Sequence, residues 1–332
     1  MQYRVLALAA LAALTGGTGM PAHAQSNVTI YGRFDLGVTR QNDGTSSLSG
    51  SNGRLGREGE RWDVRHGSES RLGFQGVEDL GSGLRAGFQI EHRFRSDTGE
   101  ADPVFWKARS YVYLESAQVG TLYLGREYVP AFWPALKTDP WLWDTVGSPG
   151  LNHQFATYRI DGHARGNNSV GYKTPKWNGF SANVAVAAGE AARDRSTGAN
   201  VEYASGPLYA GLGVDRQNAD TRVVVAGAAY DLGWVRPMFT YTDSRVAAKD
   251  VVNLTLGASA PLGRGILRAA IARLDPDGDD NNITKLGLGY EHLLSKRTSV
   301  YADLGSAKQQ GRLAGVERTR TTAVDVGLKH SF

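Results

Sequence analysis

Apolar and polar residues alternate one by one through most of this chain, and few folds accept that pattern over so many segments. In VTIYGRFDLGV, Val28, Ile30, Phe34, Leu36 and Val38 share one parity, and Thr29, Tyr31, Arg33 and Asp35 the other. In GLRAGFQIEHRFR, Leu84, Ala86, Phe88, Ile90 and Phe94 alternate with Arg85, Gln89, Glu91, Arg93 and Arg95. At the end, Val324, Val326, Leu328 and Phe332 alternate with Asp325 and Lys329. Successive side chains of a strand point to opposite faces, so each segment makes a strand with one apolar and one polar face. A helix would instead set Arg85, Gln89 and Ile90 on overlapping faces. The 42 glycines among 332 residues also disfavour long helices, since each costs about 1 kcal/mol in a helix interior.

Sixteen strands are expected, at 27–40, 63–77, 84–95, 105–116, 120–126, 166–174, 180–189, 199–205, 208–217, 221–231, 234–244, 251–261, 265–274, 282–292, 298–308 and 318–332. Short gaps such as Gly206-Pro207 and Leu232-Gly233 largely alternate with long ones at 41–62, 96–104, 127–165, 190–198, 275–281 and 309–317. An up-and-down antiparallel sheet places successive connections at opposite ends. Short turns at one end and long loops at the other describe an outer-membrane barrel, and strands of nine to eleven residues suit a tilted crossing. A soluble sandwich would alternate too, but it has no reason to sort loops by length. The fold class expected is therefore all-β, a transmembrane antiparallel barrel of about sixteen strands. It also explains how a chain of negative mean hydropathy, 41% hydrophobic, can belong in a membrane: the apolar half faces lipid and the polar half a wet lumen.

Residues 1–24 read as an export signal. Arg4 is a short basic start, Val5 to Leu14 an apolar core too short to span, and Ala22-His23-Ala24 a small-x-small cleavage pattern. Cleavage there leaves 25–332 as a single barrel domain. Its formal charge falls from +4 to +3, because Arg4 is the signal's one charged side chain.

Little else in the chain suggests reactive chemistry. With no cysteine there is no disulfide framework, thiolate zinc site or thiol nucleophile. The nucleophile-elbow, zincin and phosphate-loop motifs are absent, and Gly81-Ser82-Gly83 sits in a hairpin turn with no helix after it. His66, His92, His153, His163, His292 and His330 lack ligand spacing. Asp275-Pro276-Asp277-Gly278-Asp279-Asp280 has a misplaced glycine and Leu286 where a calcium loop needs Glu. No enzyme activity, cofactor or metal is expected. Nucleic acid is not an expected partner either, because the basic residues lie on period-two faces rather than along one groove with stacking aromatics.

Several blocks resemble the general porins of Gram-negative beta-proteobacteria. They are Val28-Thr29-Ile30-Tyr31-Gly32, the run from Ser70 to Phe88 (SRLGFQGVEDLGSGLRAGF), Gly120 to Arg126 (GTLYLGR), Arg165 to Tyr172 (RGNNSVGY), Leu294 to Thr298 (LSKRT) and the ending GLKHSF. The resemblance spans the mature chain. It implies a homotrimer in the outer membrane whose third loop folds inward, and a terminal Phe332 read by the barrel-insertion machinery. The function it implies is a diffusion channel for small hydrophilic solutes. Other readings are a channel preferring phosphate, dicarboxylates or aromatic acids, or a non-conducting adhesin or structural barrel.

Parity then assigns charges to the lumen. On the first six strands and their flanks it places Arg33, Arg71, Arg85, Arg93, Arg95, Lys107, Arg109, Arg165 and Lys173, against Asp35, Glu69, Glu91 and Glu115. That basic wall raises the local concentration of small anions, so anion selectivity is expected. Arg71, Arg109 and Arg165 are the foremost constriction candidates. Arg71 and Arg165 also lie in the blocks that resemble anion-selective members. The longest gap, 127–165, lies where the resemblance puts the constriction loop. Its Trp133, Trp141 and Trp143, with four prolines, suggest an ordered segment, and Asp139 and Asp144 are expected across the lumen from the basic wall.

Overall fold

The computed structural model describes residues 27–42, 61–149, 164–189, 195–218, 220–246, 249–276, 282–309 and 320–332. The export signal, residues 150–163 of the long loop, His153, His163 and the acidic run from 277 lie outside them.

The strands are β1 (Asn27–Gln41), β2 (Arg61–Arg65), β3 (Ser70–Gly81), β4 (Leu84–Phe94), β5 (Arg109–Ser116), β6 (Gly120–Tyr128), β7 (Arg165–Lys173), β8 (Phe180–Ala187), β9 (Ser196–Ser205), β10 (Leu208–Asn218), β11 (Thr221–Tyr230), β12 (Arg236–Val246), β13 (Lys249–Leu262), β14 (Gly265–Pro276), β15 (Ile283–Leu293), β16 (Thr298–Gln309) and β17 (Arg320–Ser331), with one short helix, α1 (Phe132–Lys137). All the pairings around the barrel are antiparallel and join neighbouring staves. The sheet closes where β1 meets β17, Arg33 opposite Ser331 through to Gln41 opposite Ala323. Closure leaves no edge strand, which a hydrocarbon environment requires. The terminal residue completes the seam: the Gly32 amide donates to the Phe332 carbonyl at 3.1 Å, and the Phe332 amide donates back at 3.1 Å.

The barrel has sixteen staves, because β2 and β3 share one. The first half of β1 pairs with β3, Arg33 opposite Arg71, and its second half with β2, Gly37 opposite Arg65. The single strand expected at 63–77 is thus broken at 66–69. Asp35 explains the break. Its buried carboxylate accepts from the Gly67 amide (3.2 Å), the Ser68 amide (2.9 Å) and the Ser68 hydroxyl (2.6 Å), replacing the ladder partners those amides give up. The strand expected from 105 starts instead at Arg109.

Connections at one end are short throughout, two residues at 82–83, 206–207 and 263–264. The first has Ser82 at φ 51° and Gly83 at φ 76°, the left-handed pair that a two-residue hairpin between twisted strands demands. At the other end the long loops appear as expected. The exceptions are the connections from β10 to β11 and from β12 to β13, each two residues long.

The outward face is apolar. Val28, Val112, Leu122, Leu212, Leu256, Leu288 and Val326 are all exposed. No helix among the described residues is long and apolar enough to cross a membrane. Glycine on the inner wall is shielded by tyrosine. A Cβ at Gly73 would meet the Tyr31 ring, at Gly171 the Tyr123 ring and at Gly327 the Tyr301 ring, the aromatic covering that steadies glycine within sheets.

Candidate functional site

The long loop leaves β6 and turns into the barrel. After α1 it runs along the inner wall, and glycines on that wall make room for it. A Cβ at Gly213 would lie 2.7 Å from the Ala131 Cα, one at Gly227 2.7 Å from Thr138 Oγ1, and one at Gly257 2.6 Å from Pro140 Cγ. Farther along, Gly287 abuts the Gly147 carbonyl. The loop is fastened by buried polar bonds. Thr138 Oγ1 lies 2.7 Å from Thr240 Oγ1, and Trp141 Nε1 donates to Asp303 at 2.6 Å. Beneath it, Val129, Ala131, Phe132, Ala135 and Trp143 pack on Val223 and Val225 of β11. Those two valines point inward, against the polar-lumen expectation, because the loop covers them. Trp143 serves this packing, Trp141 lies farther along beside Gly287, and both are buried.

The opposite wall, on β1 and β3–β6, carries the charge. Cross-strand register sets Arg33 opposite Arg71 and Arg71 opposite Arg93, so three arginines from three adjacent staves stand in one row. Like charges directly opposite one another are unfavourable in a sheet. The outer two are balanced: Arg33 lies 3.5 Å from Asp144 of the loop, and Arg93 is 2.6 Å from Glu91 and 3.9 Å from Glu69. Arg71 donates from Nε to the Glu69 carbonyl at 3.2 Å and has no carboxylate within 4 Å among the described residues.

Arg109 sits beside this row. It binds Glu127 at 3.0 Å and Gln89 Oε1 at 2.8 Å, and its guanidinium lies 5.3 Å from both the Tyr128 and Trp133 rings. Lys107 precedes the strand rather than lying on it, and its Nζ bridges Glu69 (2.8 Å) and Asp102 (2.6 Å). Arg93 thus shares the Glu69 carboxylate with Lys107. Arg85 stands near the short-turn end, paired with Glu115 at 2.6 Å and away from the arginine row.

Two expectations are corrected. Asp139 does not line the passage: it is 1% exposed, accepts from the Trp141 amide at 2.8 Å and from the Ser148 hydroxyl at 3.2 Å, and caps a turn of the loop. Burial pushes its carboxyl up to about 6. Of the two aspartates, Asp144 alone faces the basic wall, and burial raises its carboxyl too, opposed by Arg33, Lys329 and Arg71. Arg165 is also not a free lumen charge. It is buried, donates to the Ala108 carbonyl at 3.0 Å and to the Tyr128 hydroxyl at 2.5 Å, and lies 4.3 Å over that ring. Period-two counting from Lys173 fails at Arg165 because the register slips between Gly125 and Glu127, with Asn168 at φ 51°. A bulge shifts every residue beyond it by one face.

Sequence reasoning missed Glu127, which is 1% exposed and binds both Arg109 and Lys173, the latter at 3.6 Å. It shares parity with Tyr123 and Gly125, so extending the expected strand by one residue would have found it. Glu127, Asp102 and Asp144 also reduce the basic excess that parity counting gave for this wall.

A family model described as Gram-negative porin matches residues 7–312. Outer membrane porin protein 32 of Delftia acidovorans is 32% identical over 367 aligned positions, covering 100% of both chains. An outer membrane porin protein of Bordetella pertussis is 29% identical, over 97% of this chain and 98% of that one. Among solved structures, the anion-selective porin from Comamonas acidovorans superposes with a TM-score of 0.79 at 29% identity, covering 93% of this chain and 100% of the other.

Proposed function

We propose how solutes pass through a chain that belongs to the Gram-negative porins and forms a water-filled diffusion channel in the outer membrane. The channel favours small anions, in keeping with its similarity to the anion-selective porin from Comamonas acidovorans. The observation that carries this reading is the row Arg33–Arg71–Arg93, whose central member lacks a carboxylate partner among the described residues. Arginine stays charged at any working pH, and low-dielectric walls focus its field into the lumen. A passing anion meets Arg71 and exchanges hydration for guanidinium contacts on a wall that already stands there. Asp144 beside Arg33 makes the field transverse, positive on the stave side and negative on the loop side.

The constriction set is thus Arg71 with Arg33, Arg93 and Asp144. Arg109 and Lys107 are paired supports at its margin, and Arg165 positions Tyr128. Residues 1–24 are removed on export, and 25–332 form one barrel domain with the loop at about 127–165. The chain assembles as a homotrimer. Its outward aromatic cluster, in which the His92 and Phe105 rings stack at 4.3 Å beside Trp106 and Phe74, is the face assigned to that contact. The insertion machinery reads Phe332, whose ring lies over Gly32 at the seam.

Planar-bilayer recording in a KCl gradient tests this reading. Wild-type protein should give a reversal potential on the chloride side. Arg71→Glu should lower the chloride-to-potassium permeability ratio several-fold, and Arg165→Glu should lower it less. A cation preference in the wild type, or an unchanged potential in Arg71→Glu, would overturn it.

A further inference from the structure

Below the arginine row, towards the short turns, the same wall holds a cavity of about 400 Å³, lined by Gln75, Gln89, Tyr111, Tyr113, Tyr123 and Lys173. Three of these side chains are tyrosines from β5 and β6, Tyr111 with its ring centroid 5.9 Å from Tyr113 and 6.2 Å from Tyr123. A chain of hydrogen bonds holds the upper edge. The Tyr31 hydroxyl donates to Glu91 at 3.0 Å and accepts from Gln89 Nε2 at 2.6 Å, while Gln89 Oε1 accepts from Arg109 at 2.8 Å and from the Tyr111 hydroxyl at 3.1 Å. The carboxylates around it are already neutralised. Glu115 is held by Arg85 (2.6 Å), Glu91 by Arg93 (2.6 Å), and Glu127 by Arg109 (3.0 Å) and Lys173 (3.6 Å). Each negative charge named here is thus balanced before an anion enters.

The geometry points to this cavity as a binding subsite for aromatic carboxylates, with the carboxylate at Lys173 and the ring against the tyrosines. The inference rests on the anion-channel reading and names the class of anion that dwells longest. Lys173 lines the cavity beside the tyrosines: its Nζ lies 4.9 Å from the Tyr123 ring centroid and 3.6 Å from Glu127, which Arg109 already holds at 3.0 Å. A ring carried there trades water for aromatic edges and faces at the 4.5–7 Å centroid separations that aromatic pairs prefer. An aliphatic acid of the same charge engages Lys173 alone.

The test is benzoate against cyclohexanecarboxylate, equal in charge and similar in size, added to the reconstituted full-length protein in KCl. Benzoate should reduce single-channel current saturably, at a half-saturating concentration roughly three- to tenfold below that of cyclohexanecarboxylate. Tyr111→Leu should bring the two acids together, and Tyr111→Phe should keep them apart. Equal half-saturation by the two acids in the wild type would overturn the subsite whether or not the variants fold. Chloride-preferring current with no benzoate effect would also overturn it while leaving the channel reading intact. A protein that opens no channel would defeat the channel reading itself.

Discussion

Asp139 and Asp144 stand five residues apart in one loop, yet the fold gives them opposite work. Asp144 reaches Arg33 at 3.5 Å, while Asp139 turns back to hold the Trp141 amide and the Ser148 hydroxyl. The pH consequence belongs to Asp139. Its carboxyl is raised from the ordinary 3.8 to about 6, because burial disfavours the charged form. The folded state therefore holds its proton more tightly than the unfolded chain does. Below about pH 4 both states are protonated and there is no penalty; the penalty grows as pH rises from about 4 to 6 and is complete above that. Asp139→Asn keeps the acceptor for the Trp141 amide and removes the charge. It should raise the thermal unfolding midpoint at pH 8 and leave it nearly unchanged at pH 4. An equal shift at both values would refute burial of the charge as the cause. Nothing in sequence separated the two aspartates, because which of them is desolvated depends on the wall the loop meets.

At the scale of elements, the loop and the wall beneath it are shaped for each other. Gly213, Gly227, Gly257 and Gly287 lie on four different strands, and their alignment under Ala131, Thr138, Pro140 and Gly147 exists only once the barrel closes. A substitution there should act on the passage rather than on the barrel. In Gly227→Val the new side chain meets Thr138 Oγ1 at 2.7 Å, Thr138 Cγ2 at 2.9 Å and the Pro134 carbonyl at 3.0 Å, so the loop must lift towards the lumen. Single-channel conductance should fall and become noisier while the protein keeps its β circular dichroism. Unaltered conductance would mean that the loop does not set the width. The sixteen staves were legible from alternation, since period two survives in any sheet with unlike faces. The break in the second stave was not, because Asp35 replaces the ladder of a strand distant in sequence. The bulge just after Arg165 was not legible either, since one extra residue leaves no mark in composition.

For the whole molecule, the anion preference proposed above rests on a field effect and should be screened as one. The Debye length falls from about 10 Å at 0.1 M salt to about 3 Å at 1 M. The chloride-to-potassium permeability ratio should therefore decline steadily across that range. A ratio independent of salt would favour direct coordination over a field from the arginine row. What the chain's alternation determined by itself was a sheet with an apolar outside and a polar inside, the face on which the charges of the first six strands lie, and the location of the long loop. Those properties are local, set by which residues sit on every second position. Tertiary structure decided the rest. It chose which cations are paired, because Glu69 reaches Lys107 and Arg93, Glu127 reaches Arg109, and Arg71 is the member of the row left without a carboxylate among the described residues. Charge on a face follows from parity, but pairing needs the distance between side chains on separate strands, and that distance exists only after the sheet has curved shut and the loop has settled against its wall.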